Sequence, residues 1–178
     1  SKDIEATIRA ISVLGAHVAL QENLLRVSGL KKDTLPLGPI PVDCGESGST
    51  LRFLIPIFGA LGIPVLFTGH GRLPQRPIGC YLDCLPPHGL TCDTEGGLPL
   101  AISGKLTCGT FYLPGNVSSQ FITGLLLALP LLNGDSEIVL TTPLQSTGYV
   151  EMTIETMVSF GVTVISTETG WKIPGGQT

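Results

Sequence analysis

Apolar residues recur at helical spacing in three stretches: Ile4/Ile8/Ile11, Ile78/Leu82/Leu85 and Val150/Ile154/Met157, each at i, i+4, i+7. Four residues past each face stands Gly15, Gly89 or Gly161, the residue type expected in the left-handed conformation beyond a helix end. A strand pair then follows each: His17–Leu20 with Leu24–Val27, Leu90–Asp93 with Leu98–Ile102, and Val162–Ile165 with Gly170–Ile173. The pairs close at Gly29, Gly104 and Gly175. Gly15 to Gly89 is 74 residues and Gly89 to Gly161 is 72, which reads as an internal repeat.

A second block precedes the later two copies. It consists of a strand (Ile40–Cys44; Thr110–Leu113), a small polar turn, a helix apolar nearly all round, and another strand (Pro64–Phe67; Glu137–Leu140). The two apolar helices, about Ser49 to Leu61 and Ser119 to Leu131, lack a polar face and belong inside a domain. The full unit is β-α-β-α-β-β, and the chain is expected to be an α/β (by some schemes α+β) lobe of buried helices surrounded by small sheets. The expected division is 1–30 as the second half of repeat 1, 31–105 as repeat 2 and 106–178 as repeat 3. By the same spacing a first buried helix would begin roughly 27 residues before Ser1. The pattern alone also allows a true half repeat. Either way Ile4, Ile8 and Ile11 are expected to lack part of their packing surface.

Composition narrows the function classes. With 43% hydrophobic and 13% charged residues and a mean hydropathy of +0.39 over 178 residues, the chain has a large core and none of the signature of disorder. A net charge of −4 with ten Lys plus Arg disfavours nucleic acid or an anionic membrane surface as partner. Any anion must be held by a few well-placed donors. The five cysteines form no CxxC pair, and an odd count fits reduced thiols and a cytoplasmic location. Because Ser1-Lys2-Asp3 opens directly into helical pattern, no secretory signal is expected. The most apolar stretch, Leu51 to Phe67, contains Arg52, Pro56 and Pro64 and reads as buried helix plus strand, not a membrane span.

The candidate chemistry lies at helix starts. Cys44-Gly45-Glu46-Ser47-Gly48-Ser49-Thr50 and Pro114-Gly115-Asn116-Val117-Ser118-Ser119-Gln120 lead into the two apolar helices. Both place small and hydroxyl residues where free backbone N–H groups and the positive dipole end suit phosphate or carboxylate. Plain N-capping accounts for the same residues. In Gly69-His70-Gly71-Arg72-Leu73-Pro74-Gln75-Arg76-Pro77, Pro77 suits a first helical position and pushes Arg76 toward an extended conformation beside the helix start. Its planar fork fits an anion, and a surface salt bridge fits it equally. Arg52, Arg72, Arg76 and Lys105 all fall at or between such corners. Ser146 and Tyr149, ahead of and inside the third amphipathic helix, read either as contacts to a polyhydroxy ligand or as a cap and a half-buried ring.

Other chemistries find no support. No G-x-S-x-G elbow, P-loop or GxGxxG follows a strand. His17, His70 and His88 have no recognisable catalytic partner, and no general acid or base can be singled out. Cys80 and Cys84, one turn apart in a helix, read as inert packing residues.

Four motifs, Gly45-Glu46-Ser47-Gly48-Ser49-Thr50-Leu51-Arg52, Arg72-Leu73-Pro74-Gln75-Arg76-Pro77-Ile78, Pro114-Gly115-Asn116-Val117-Ser118-Ser119-Gln120-Phe121 and Ser146-Thr147-Gly148-Tyr149-Val150, occur in order. Together they resemble the 5-enolpyruvylshikimate-3-phosphate synthases over essentially the whole chain. The resemblance implies transfer of the enolpyruvyl group of phosphoenolpyruvate to the 5-hydroxyl of shikimate 3-phosphate, by addition–elimination through a tetrahedral ketal, with no metal or other cofactor. It also implies two similar three-unit lobes, of which this chain would be most of the N-terminal one. Carried over by motif, Gly48, Arg76 and Gln120 would contact phosphoenolpyruvate. Ser118, Ser119, Gln120 and Ser146 would hold shikimate 3-phosphate, with Tyr149 packed against its ring. The family's Gly-Ser-Lys-Ser motif would fall upstream and its acid/base carboxylates in the complementary lobe. No catalytic residue is therefore assigned here, and the chain is expected to be inactive alone. Leu85-Pro86-Pro87-His88-Gly89 departs from the family pattern and should end its helix early, and Glu46 puts an acid near an anion site.

Two relatives of this fold are weaker matches. UDP-N-acetylglucosamine enolpyruvyl transferases carry a reactive Cys five residues ahead of the corresponding Arg, where this chain has Gly71. RNA 3′-terminal phosphate cyclases use related units, but this chain is acidic and lacks their nucleotide-handling residues. A non-catalytic phosphate-ester binding module is the remaining alternative.

Overall fold

The computed structural model describes residues 1–30 and 35–177. The expected boundary at 30/31 therefore adjoins undescribed residues, and both that boundary's far side and Thr178 lie outside the described residues.

The first elements are α1 (Lys2–Val13) and the antiparallel hairpin β1 (His17–Gln21) and β2 (Leu24–Ser28). Next come β3 (Ile40–Asp43), α2 (Gly48–Leu61), β4 (Val65–Thr68), the short α3 (Gly79–Cys84), β5 (Leu90–Asp93) and β6 (Leu100–Gly104). The last group is β7 (Thr110–Leu113), α4 (Ser119–Ala128), β8 (Ser136–Leu140), α5 (Thr147–Ser159), β9 (Ile165–Ser166) and β10 (Gly170–Ile173).

The two four-stranded sheets have one topology. In the order β3-β4-β6-β5, β3 and β4 are parallel, while β4–β6 and β6–β5 are antiparallel. In β7-β8-β10-β9 the same relations recur: β7 and β8 parallel, β8–β10 and β10–β9 antiparallel. In each, a buried helix crosses between the parallel strands and a second helix leads to the antiparallel pair. Parallel neighbours need such a crossover, because no tight turn can join them.

Helices α2 and α4 lie at the centre and run side by side in one direction. Arg52 meets Gln120, and four residues further along each helix Pro56 faces Gly124. A Cβ on Gly124 would collide with the Tyr81 hydroxyl and the Arg52 carbonyl oxygen, so only glycine permits this approach. Pro56 has no N–H to bond the Arg52 carbonyl, and the Tyr81 hydroxyl, 2.8 Å away, donates to it instead. The parallel arrangement puts both helix N-termini at one end of the lobe.

Several local expectations are corrected. Ile4 is 54% exposed and Ile8 and Ile11 are half-buried, the incomplete packing expected of that face, and the stripe of α1 that is fully buried is instead Ala6 and Ala10, continued by Leu14. Small residues let α1 approach α2 closely, where Thr7 Oγ1 lies 2.7 Å from Thr50 Oγ1. Helix α3 starts at Gly79 after Ile78, so Pro77 stays in the extended loop. As Pro86 and Pro87 lead one to expect, it ends early, at Cys84, and the prolines form a 3-10 turn ending at the left-handed Gly89. Strand β6 begins at Leu100, not Leu98, and β9 spans only two residues.

Candidate functional site at the helix starts

Each helix start is built by its own cap. Ser47 accepts from the Thr50 N–H at 3.2 Å and caps α2, and Ser118 accepts from the Gln120 N–H at 3.3 Å and caps α4. Ser146 stands at the equivalent point before α5 but does not cap it. Its backbone is left-handed (φ 59°) and its hydroxyl makes no capping bond. That hydroxyl remains available to a ligand.

Arg76 has the extended backbone (φ −71°, ψ 136°) that the following proline imposes. Its exposed side chain returns over the start of α2, where a Cβ on Gly48 would overlap Nη1. The same Cβ would stand 3.6 Å from Arg52 Nη1. Two guanidinium groups thus flank one glycine at a positive helix end, an arrangement of like charges that an anion relieves. Glu46, the acidic residue closest to Gly48 in sequence, turns its carboxylate against Gly71.

Ser118, Ser119, Gln120, Ser146 and Tyr149 line a single groove of about 690 Å³, together with Ser49, Phe53, Leu127 and Met152. Tyr149 is 65% exposed, so its ring is not the half-buried one that spacing allowed. Gly48 and Arg76 stand beside this groove, joined to it by Ser49 and by the Arg52 to Gln120 hydrogen bond. All seven sequence-identified residues therefore gather at the shared N-terminal end of α2, α4 and α5. A second hollow of about 810 Å³ lies between α5, the loop that follows β8 and the β9–β10 turn. It contains Glu151, Glu155 and Glu168, the wrong sign for an anionic ligand, and none of those seven residues.

Arg52 was not singled out as a binding residue, yet it is only 7% exposed and occupies the middle of this end. Nη1 donates to Gln120 Oε1 at 2.7 Å, Nη2 donates to the Pro77 carbonyl at 3.0 Å, and the guanidinium lies 4.8 Å from the centre of the Phe121 ring. Burial, then the neighbouring Arg76, lowers its pKa. A lone arginine in an otherwise apolar helix was the available signal.

Burial holds the Cys44 and Cys84 thiols up at about 12 and also raises Cys80 and Cys92. None has the lowered pKa of a nucleophile. Among the described residues, no three His, Cys, Asp or Glu side chains come together to hold a metal, and no helix is long and apolar enough to cross a membrane.

The family model of EPSP synthase (3-phosphoshikimate 1-carboxyvinyltransferase) matches residues 1–178. The chain belongs to the EPSP synthase family. A 3-phosphoshikimate 1-carboxyvinyltransferase from Clostridium kluyveri is 46% identical over 180 residues, covering 100% of this chain and 42% of the relative. The corresponding protein of Clostridioides difficile is 42% identical over 188 residues and is matched over 43% of its length. The chain thus spans less than half the length of the EPSP synthases it resembles. An EPSP synthase structure from Acinetobacter baumannii superposes with a TM-score of 0.85 at 23% identity, covering 100% of this chain and 40% of that one. This is the fold expected from the repeat.

Proposed function

We propose that this chain forms one wall of the substrate cleft of a 3-phosphoshikimate 1-carboxyvinyltransferase, in three units of 1–30, 31–105 and 106–178. Arg76 and the Gly48 helix start take the charged groups of phosphoenolpyruvate. Gln120 reaches both substrates. Ser118, Ser119 and Ser146 hold shikimate 3-phosphate, chiefly at its phosphate, and Tyr149 lies against its ring. The observation that carries this reading is the convergence of the Arg76 guanidinium, the Gly48 helix start and the serine-lined groove at one end of the lobe. Clustered cations and helix dipoles would stabilise charge as the enolpyruvyl carbon is attacked and phosphate leaves. The proton transfers belong to groups of the complementary lobe, so the chain by itself turns nothing over. We place the enzyme in the cytoplasm, where its free cysteines stay reduced.

Turnover tests the proposal. This chain combined with the complementary lobe should release inorganic phosphate from phosphoenolpyruvate only when shikimate 3-phosphate is present. Alone, it should bind shikimate 3-phosphate weakly and phosphoenolpyruvate barely in calorimetric titrations. Intact ligand affinity with no turnover from the combined lobes would instead favour a binding module. A UDP-N-acetylglucosamine enolpyruvyl transferase is disfavoured by Gly71, which stands where that family carries its cysteine and whose φ of 63° strains any side-chain-bearing residue.

A further inference from the structure

We infer that Arg52 is a positioning residue that sets the orientation of the Gln120 amide and, from the same guanidinium, anchors the backbone carrying Arg76. The inference deepens the proposed reading of this site and rests on it for the roles of Gln120 and Arg76. A free glutamine amide can rotate to present either its oxygen or its NH₂ group. Arginine removes that choice, because it has five donors and no acceptor. With Arg52 Nη1 2.7 Å from Gln120 Oε1, the amide oxygen is committed to Arg52 and the NH₂ group faces the other way. Gln120 lines the groove, so two N–H donors are presented to the oxygens of a bound anion.

Arg52 can impose this because it is itself fixed from several sides. Its second nitrogen bonds the Pro77 carbonyl, one residue after Arg76, and its guanidinium lies over the Phe121 ring. Its backbone carbonyl is held by Tyr81, in the place of the amide that Pro56 lacks. Residues of α3, α4 and the 76–77 loop therefore meet at one buried residue of α2, the last two at its side chain and the first at its carbonyl. A lysine could serve one of the two acceptors but not both at the fixed angle of the fork.

The test is a double-mutant cycle in the enzyme assembled from this chain and its complementary lobe. Arg52→Lys should lower kcat/KM for phosphoenolpyruvate by roughly 10- to 100-fold. Placed on a Gln120→Ala background, it should lower it by a factor at least about threefold smaller than in the wild type, because the share that acts through Gln120 is already lost and only the anchoring of the Arg76 loop remains. Gln120→Glu should fold with unchanged thermal stability, since an acid oxygen still accepts from Arg52. It should nonetheless lose phosphoenolpyruvate affinity, because an oxygen now replaces the donors in the groove. An Arg52→Lys effect within twofold, losses that multiply, or a Gln120→Glu variant that binds normally would each overturn the inference. If Arg52→Lys does not fold, the Gln120→Glu result decides. If the assembled wild type is inactive, the proposed function fails separately, and NMR of the ¹⁵N-labelled chain decides the positioning claim. The Gln120 side-chain NH₂ signals should sit apart from those of exposed glutamines and move to their range in Arg52→Lys; unmoved signals would overturn it.

Discussion

The β3–β6 and β7–β10 regions have the same strand order and the same parallel and antiparallel pairings, yet they present opposite chemistry at the same end. The first offers guanidinium: Arg76 on an extended loop and Arg52 within the helix. The second offers hydroxyls: Ser118 and Ser119 at the start of α4, and Ser146 where the equivalent loop carries Arg76. A duplicated scaffold fixes where a ligand-facing group stands and leaves its identity to a few loop residues. Proline after Arg76 enforces extension, whereas the left-handed backbone at Ser146 aims a short side chain from the corresponding place. In the proposed reading the first copy takes the small, highly charged donor and the second the phosphorylated polyol.

The largest effect should come from the cationic copy. In the assembled enzyme, Arg76→Ala should reduce kcat/KM for phosphoenolpyruvate by about 100-fold, on the order of 3 kcal/mol, and alter use of shikimate 3-phosphate much less. Steady-state kinetics with each substrate varied in turn checks this, and equal losses on both would dissolve the contrast. Next is the seam between the copies. Gly124→Ala drives a methyl group into the Tyr81 hydroxyl and the Arg52 carbonyl, so urea unfolding should show a loss of about 2–3 kcal/mol. Unchanged stability would mean that α2 and α4 can separate freely.

A smaller asymmetry concerns pH. Cys44 and Cys84, both in the first of the two regions, are held protonated by burial up to about 12. In the unfolded chain they ionise near 9.0, so between the two values the unfolded state binds fewer protons and stability falls as pH rises. At pH 10 this amounts to roughly 1 kcal/mol per thiol. Denaturant melts at pH 8 and pH 10 should show the loss, and Cys44→Ala should remove one share. The smallest effect separates two serines. Ser118→Ala should cost about 1 kcal/mol of stability through its cap. Ser146→Ala, whose hydroxyl caps nothing, should leave the melting temperature unchanged while raising the KM for shikimate 3-phosphate several-fold. Equal thermal shifts would break that distinction.

Much of this was legible along the chain because it is local. The glycines past the helix ends take positive φ at Gly15, Gly89 and Gly161 as their positions require, and Pro77 extends Arg76 through a clash between neighbouring residues. In α1 the periodicity shows which residues are apolar and that their face is incomplete, but not how close a neighbour comes. Ala6 and Ala10 win the inward face by being small. Arg52 was undervalued for a related reason: its partners, Gln120 and the Pro77 carbonyl, lie 68 and 25 residues away.

The order of residues by itself determined the repeat, the two apolar helices, their caps and the side chains available at each start, since these follow from spacing and backbone sterics. Only the packed molecule decided that α2 and α4 run parallel through Gly124, which way the Gln120 amide faces, and that a buried arginine joins the two copies. Those outcomes depend on contacts between segments distant in sequence, whose distances and directions no local pattern contains.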